Sequence, residues 1–520
     1  MARRERMSSV DTAWLRMEDP TNLMMITGII QFDEPLSYDR LISVLEQRFL
    51  IHDRFKQRVV LPTSSMGIAY WEEDPYFDIR AHVLRMALPA PGDQTALQEV
   101  VSNLMSMPLD FSKPLWQFQL VENYLGGSVL ISRLHHCIAD GIALVRVMLS
   151  MTDETREGTE LTLAEPTPRN DRGVLASLFA PVFAAARSTQ KFTEALVQES
   201  FGAIRDPNRL VDIAKVGMSG VTALGKLTLR LPDPPTPFKG DLGVIKRAAW
   251  SKPIPLADVK AIGKVTEGTV NDVLITAVAG ALRRYMRKRG ERVKGVNFRA
   301  TIPVNLRPLE GPIEFGNKFG LVFLSLPIGI ADPLDRLREL KRRMDELKES
   351  AEPVVAFGLL NAIGMVPNEV EQFALSLFGA KATAVMTNVP GPRQTIYLGG
   401  APLKHIMFWV PQSGHLGLGV SIISYAGEVM VGVATDAGLV PDPEQIIKGF
   451  TREFEALMQL VRQVQENEAK VASSAAKAVA SPESRPTCQG MTKAGNPCRN
   501  KPVTDSLYCH LHQPALELVA

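Results

Sequence analysis

Two adjacent histidines, His135 and His136, stand four residues ahead of an Asp140-Gly141 pair, in the segment Ser-Arg-Leu-His-His-Cys-Ile-Ala-Asp-Gly that ends at Gly141. An imidazole has an unperturbed pKa near ~6.5, so at neutral pH it is largely unprotonated and can take a proton from a hydroxyl or an amine. The apolar run Val129 to Leu134 is long enough for a buried strand and ends directly on the histidines. A second apolar segment, Ile142 to Leu149, follows Asp140-Gly141. Strand, sharp loop and helix would fix an imidazole at the mouth of a cleft. Side chains alternate along a strand, so the two rings begin on opposite faces and only one can meet a substrate. A purely structural reading competes with this one, because Asp140 ahead of a helix is also a natural N-cap.

A second constellation lies at the other end of the chain. Cys488, Cys498, Cys509 and His512 follow one another as C-x9-C-x10-C-x2-H, and they include three of the four cysteines of the chain. Three thiolates and one imidazole make a complete tetrahedral ligand set for structural zinc. Thr492 to Gly495 and Asn496-Pro497 supply turns between ligands, and His510 is a competing ligand. The stretch resembles small C-x-x-x-T-K-x-G-x-x-C…C-x-x-H zinc modules, and its partner is open. A short tail needs such a staple because it buries little core.

The elements that must carry these groups read as mixed α/β (α+β). Pro35 to Phe49 has helical spacing, with Leu41, Leu45 and Phe49 on one face. Asn271-Asp272 can cap a helix running to Arg289, with Leu274, Val278, Ala281 and Tyr285 on its apolar face and Gly290 ending it. Phe298 to Val304, Leu321 to Ile328 and Glu428 to Thr435 read as strands. Thr152 to Arg172 turns polar and Pro-containing, Val174 to Leu229 reads as an amphipathic helical insert, and Leu231 to Pro237 breaks it. The expected organisation is an N-terminal lobe over 1–150, a linker and helical crossover over 151–239, and a C-terminal lobe over 240–466. A flexible Ala-, Ser- and Lys-rich linker over 467–486 and a metal-binding tail over 487–520 follow.

Composition excludes more than it assigns. Among the 520 residues, 58 Lys and Arg balance 56 Asp and Glu, so there is no global electrostatic case for nucleic acid. No run reaches the roughly 18 to 20 apolar residues of a membrane span. The basic start, Met1 to Arg6, has no hydrophobic signal segment after it, and Met7 is an alternative initiator. The expected location is cytoplasmic.

H-H-x-x-x-D-G resembles the signature of a superfamily of CoA- and carrier-dependent acyltransferases. One branch, the bacterial wax ester synthase/diacylglycerol acyltransferase family, is similar from about Ser8 to Gln463. The similarity is carried by Asp11-Thr-Ala-Trp14 with Met24 and Met25, by Pro114-Leu115-Trp116, and by Thr269-Val-Asn271-Asp272. Pro303-Val-Asn-Leu-Arg307 with Gly316-Asn317, and Thr387-Asn388-Val-Pro390-Gly391-Pro392, carry the rest. The order of these short motifs, rather than any one of them, makes the resemblance.

The resemblance implies two chloramphenicol-acetyltransferase-like lobes with a central tunnel between them. It implies His136 as general base, with His135 and Gly141 beside it and Asp140 as a brace paired with an arginine, here Arg307 rather than Arg299. It implies acyl-CoA as donor and diacylglycerol or a fatty alcohol as acceptor, giving triacylglycerol or wax ester, with no cofactor for catalysis. The hydrophobic products imply peripheral attachment to the inner membrane or lipid inclusions; the insert's own Phe179, Phe183, Phe192 and Phe201 among basic residues suit that contact, and a solvated connector packed on the lobes is the competing reading. Pro114, Trp116, Asn388 and the Val-Pro-Gly-Pro turn are expected either as substrate walls or as ordinary packing. Cys137 is expected to be filler, because an activated thioester needs no acyl-enzyme. Two other readings stay open: transfer from a carrier-protein thioester to a non-lipid acceptor, and a non-catalytic lipid-surface scaffold.

Overall fold

The structure is a computed structural model that describes residues 4–62, 67–158, 230–306, 313–348, 356, 379–412, 414–479 and 487–513. The helical insert expected over 174–229, and Arg307, lie outside the described residues. By internal packing the chain divides into two compact units, Met1–Met458 and Gln459–Ala520.

In chain order the strands are β1 (Arg4–Arg6), β2 (Met25–Phe32), β3 (Gln57–Val60), β4 (Tyr70–Glu73), β5 (Val83–Met86), β6 (Trp116–Tyr124), β7 (Gly127–His135) and β8 (Lys246–Trp250). There follow β9 (Ile254–Pro255), β10 (Phe298–Asn305), β11 (Phe319–Leu326), β12 (Ala384–Pro390), β13 (Tyr397–Leu398), β14 (Ala401–Trp409), β15 (Leu418–Tyr425) and β16 (Glu428–Asp436). The α-helices used below are α1 (Ser9–Arg16), α2 (Tyr38–Val44), α3 (Gln94–Met105), α4 (Gly141–Ser150), α5 (Leu256–Thr266), α6 (Val270–Lys288), α7 (Pro333–Lys348) and α8 (Glu444–Val479).

One sheet runs β13-β14-β2-β7-β6-β5 and a second runs β11-β10-β12-β15-β16-β8, with β9 also on β16. A small third sheet, β1-β4-β3, covers the start of the chain. The first sheet positions the histidines. β7 is held between β2 and β6, both antiparallel to it, and its residues are buried on both faces, which matches its continuous Val, Leu and Ile run. At its start Gly127 is obligatory, since a Cβ there would lie 2.0 Å from the Phe32 carbonyl oxygen. Hydrophobic packing joins the sheets: Trp250, Ile423 and Met430 belong to the same core as Ile131, Leu134 and Trp116.

The strands read from the pattern form where expected, with β10, β11 and β16 within two residues of their predicted bounds. So does the helix after Pro35, which starts at Tyr38 under a Ser37 cap. Three features differ from expectation. The α6 cap is Thr269, whose hydroxyl accepts from Asp272 N while the Asp272 carboxylate accepts from Thr269 N; Asp272 completes a capping box and Asn271 takes no part in it. The strands β13 and β14, from the second half of the sequence, pair into the first sheet through β2, so the boundary expected at 240 does not separate the two sheets. Finally, α8 continues through Ala469 to Val479, where a flexible linker is expected. Alanine and lysine make loose linkers only when glycine and serine dominate; otherwise both favour helix.

Candidate active site

The turn from β7 into α4 carries His135 to Asp140. Its alternation sends the two rings to different fates. His135 is fully buried; its Nδ1 accepts from the Cys137 N–H at 3.1 Å, which leaves Nε2 as the protonated nitrogen, 3.3 Å from Glu18 Oε2. That ring is spent on holding the turn. His136 keeps 5% of its surface, and it stacks on Trp14 with ring centroids 4.1 Å apart and planes 16° from parallel. Its Nδ1 is buried with no hydrogen-bond partner among the described residues. Burial pushes its pKa down to about 4, against which the nearby Asp140 charge pulls upward. The imidazole is therefore neutral throughout the physiological range.

Asp140 is the α4 N-cap, with one carboxylate oxygen accepting from Ala143 N at 3.0 Å and the other from Lys318 N at 3.0 Å. Lys318 belongs to a short strap, Gly316-Asn317-Lys318, that lies along the loop. Gly316 N donates to Ile138 O at 3.0 Å, Asp140 N donates to Gly316 O at 3.2 Å, and Asn317 Nδ2 donates to His136 O at 2.7 Å. The strap is held from behind by Asp11, whose carboxylate accepts from Asn317 N and Asn317 Nδ2, both at 2.8 Å, and from the Ser8 hydroxyl at 2.6 Å. Burial pushes the Asp11 carboxyl up, and the Ser8 and Asn317 bonds pull it back. Gly316 sits at φ +88°, and a Cβ there would lie 2.8 Å from Asp11 Oδ2, so only glycine passes at this point.

The remaining predicted residues fall into three groups. Pro114, Leu115 and Trp116 are buried: Leu115 O accepts from His135 N at 2.9 Å, and Trp116 donates through Nε1 to Phe55 O at 2.7 Å while stacking on His82. This is core packing that supports β7 from β6. Asn388 on β12 donates to Asn271 on α6 at 2.6 Å, and Gly391 N bonds Ser424 O at 2.7 Å, so both belong to the second sheet and its helix. Arg299 is committed elsewhere, with its guanidinium 3.0 Å from the carboxylate of Asp233. Cys137 is wholly buried and its thiol is pushed well up by desolvation, which removes the thiolate that a nucleophile would need.

In the C-terminal unit the ligand atoms of Cys488, Cys498, Cys509 and His512 lie within 4.8 Å of one another. The Sγ atoms of Cys498 and Cys509 are 3.8 Å apart, and His512 Nδ1 is 3.5 Å from Cys488 Sγ and 3.3 Å from Cys509 Sγ. Backbone N–H groups of Gly490 and Cys509 point at Cys488 Sγ, at 3.3 and 3.1 Å. His510, the competitor, is exposed and outside the cluster.

The model of the wax ester synthase/diacylglycerol acyltransferase catalytic domain matches residues 7–274, and that of the WS/DGAT C-terminal domain matches 315–458. The chain belongs to this family. A Mycobacterium tuberculosis protein named "probable diacylglycerol O-acyltransferase" is 26% identical over 457 residues, covering 85% of this chain and 94% of its own. A second M. tuberculosis protein of the same general name is 28% identical over 441 residues, covering 82% and 90%. Among solved structures, the wax ester synthase/diacylglycerol acyltransferase of Marinobacter aquaeolei VT8 superposes with a TM-score of 0.61 at 20% identity, covering 88% of this chain and all of that one. A condensation domain of the calcium-dependent antibiotic synthetase gives 0.55 at 16%, covering 88% and 96%. Both show the fold.

The candidate site draws on both matched domains. His136, Asp140 and Trp14 lie in the 7–274 match, whereas Gly316, Asn317 and Lys318 lie in the 315–458 match. The motifs at Asp11-Thr-Ala-Trp14 and Gly316-Asn317 were legible as family marks. Their roles were not, because the contacts they make join residues 306 positions apart. The cysteine–histidine cluster lies beyond both family matches.

Proposed function

We propose that this WS/DGAT member is an O-acyltransferase that moves a fatty acyl group from acyl-CoA to the hydroxyl of diacylglycerol or of a long-chain alcohol, with His136 as general base. The observation that carries the reading is an imidazole just beyond the end of β7, held neutral by burial, whose Nδ1 is buried without a hydrogen-bond partner among the described residues. That leaves Nε2 as the nitrogen a substrate hydroxyl would meet. Nε2 accepts the hydroxyl proton as the oxygen attacks the thioester carbonyl. The tetrahedral intermediate collapses with cleavage of the C–S bond, and the proton passes to the departing CoA thiolate. No metal or covalent enzyme intermediate is required.

Asp140 braces the loop by accepting from two backbone amides, those of Ala143 and Lys318. Donor and acceptor approach the ring through the passage between the two sheets, where Asn271, Asn388 and the Pro390-Gly391 turn form part of the wall. The hydrophobic substrates place the enzyme at a membrane or lipid-inclusion surface, as a peripheral protein; no described helix is long and apolar enough to cross a membrane. The C-terminal quartet holds a structural zinc. Zn–S bonds of about 2.3 Å and Zn–N bonds of about 2.0 Å in a tetrahedron give S···S edges near 3.8 Å and S···N edges near 3.5 Å, and the cluster has edges of 3.8, 3.5 and 3.3 Å.

The test is acyl transfer from an acyl-CoA to dioleoylglycerol and to hexadecanol, by wild type and by His136→Ala. Wild type should form triacylglycerol, wax ester or both, and the variant should lose roughly 100- to 10,000-fold in kcat. A folded His136→Ala protein with wild-type turnover would remove the base from the mechanism.

A further inference from the structure

General-base histidines are ordinarily aimed by a hydrogen bond to the ring nitrogen that does not react, which fixes both tautomer and orientation. His136 has no such bond: its Nδ1 is buried without a partner among the described residues. Something else must hold the ring. Among the described residues the ring is met by Trp14 and, tilted at 5.8 Å between centroids, by Phe319 of β11, while its backbone is held by Met24 O and by Asn317; the closest ring contact and the anchor behind Asn317 both lie on helix α1. The indole of Trp14 lies flat on the imidazole at 4.1 Å, and Trp14 is itself buried, with its Nε1 also without a hydrogen-bond partner among the described residues. The backbone beneath the ring is gripped by Asn317, and Asn317 is gripped by the Asp11 carboxylate. Asp11 and Trp14 are three residues apart in sequence, so one turn of helix brings them to neighbouring positions on the same face.

We propose that Trp14 and Asp11 are positioning residues for acyl transfer: Trp14 clamps the plane of the His136 ring by stacking, and Asp11, acting through Asn317, fixes the loop from which the ring projects. The proposal rests on the reading of His136 as the base. A ring stacked on a buried indole cannot tip out of its plane without losing that face contact, worth about 0.5–1.5 kcal/mol beyond area burial for aromatic pairs. Stacking has a second effect. It strips water from one face of the imidazole, and that desolvation favours the neutral ring over the charged one. The charged and titratable groups around it are Asp140 and His135 in the loop, Cys137 behind them, Glu18 against His135, and Asp11 across Asn317. Of these, Asp140 favours the protonated ring and His135 opposes it.

The experiment compares Trp14→Leu with Trp14→Phe, and Asp11→Ala with Asp11→Asn. Phenylalanine keeps a stacking face, and asparagine keeps an oxygen that can accept both Asn317 bonds. Trp14→Leu should lower kcat about 10- to 100-fold, as expected for a misplaced reacting group, with little change in KM for acyl-CoA. Its acid limb in kcat/KM should move up from near 4 toward ~6.5, and Trp14→Phe should restore both. Asp11→Ala should lower kcat similarly, with rescue by Asp11→Asn. Titration of the His136 ring by NMR reads the same shift without turnover. An inactive His136→Ala with an unmoved ring titration in Trp14→Leu overturns the clamp alone. An active His136→Ala overturns the mechanism, while the titration still reports whether Trp14 governs the ring. A folded Trp14→Leu with wild-type kcat and acid limb, or a folded Trp14→Phe as impaired as Trp14→Leu, overturns the stacking role. Should Trp14→Leu fail to fold, the Phe variant and the Asp11 pair decide.

Discussion

Burial of His136 should be visible in the acid stability of the whole protein. In the folded chain its pKa lies at about 4, pushed down chiefly by desolvation, whereas an unfolded chain offers it near ~6.5. Below pH 6.5 the unfolded state therefore binds a proton that the native state refuses. Stability is complete above that value, declines as pH falls, and has lost the full contribution once pH passes below about 4. The gap of roughly 2.5 pH units at about 1.4 kcal/mol each comes to about 3 kcal/mol, a large share of a marginal stability. The perturbation is His136→Asn, which removes the titrating ring, and the assay is urea unfolding at intervals from pH 4 to 7.5. Other groups titrate in this range, notably Asp11, whose raised pKa acts in the opposite direction, and taking wild type minus variant cancels them. The difference should be flat above pH 6.5 and should shift by about 3 kcal/mol between there and pH 4, with the variant losing less. Parallel curves for the two proteins would refute the desolvated, unpartnered ring.

Two further outcomes follow from the strap and the tail. Gly316→Ala places a methyl 2.8 Å from Asp11 Oδ2 at a φ of +88°, so it should lower the urea midpoint by the equivalent of about 1–3 kcal/mol and reduce turnover as the strap shifts off His136; an unchanged midpoint would show that the strap is not rigid there. The purified protein should carry one zinc per chain by elemental analysis, and Cys498→Ser should lose it while acyl transfer persists, because the quartet lies outside both family domains; retention of zinc in that variant would dissociate Cys498 from the site.

Legibility in the sequence followed distance along the chain. The strand–loop–helix around His135 and His136 was readable because an apolar run, a turn and a second apolar run are consecutive in sequence. The same holds for the quartet, since Cys488 and His512 are only 24 positions apart. The capping of α6 was misassigned by two residues because Thr269, Asn271 and Asp272 are all competent caps, and only geometry chooses among them. The stacking of Trp14 on His136 and the bonding of Asp11 to Asn317 left no local trace: neither the type nor the spacing of these residues signals a partner on another element. The placement of β14 in the first sheet was hidden for the same reason, since its alternation says which face is buried and not which strand it joins.

That last pairing bears on how the chain is made. While the ribosome is still adding the second half, β2 has β7 on one side and an open row of amides and carbonyls on the other, because its second neighbour, Ala401–Trp409, has yet to emerge. Nascent chains in that interval expose an apolar ribbon edge of the kind that templates intermolecular pairing. Truncation before residue 401 would leave the edge open permanently, so a polypeptide carrying the whole histidine loop would still be prone to aggregate.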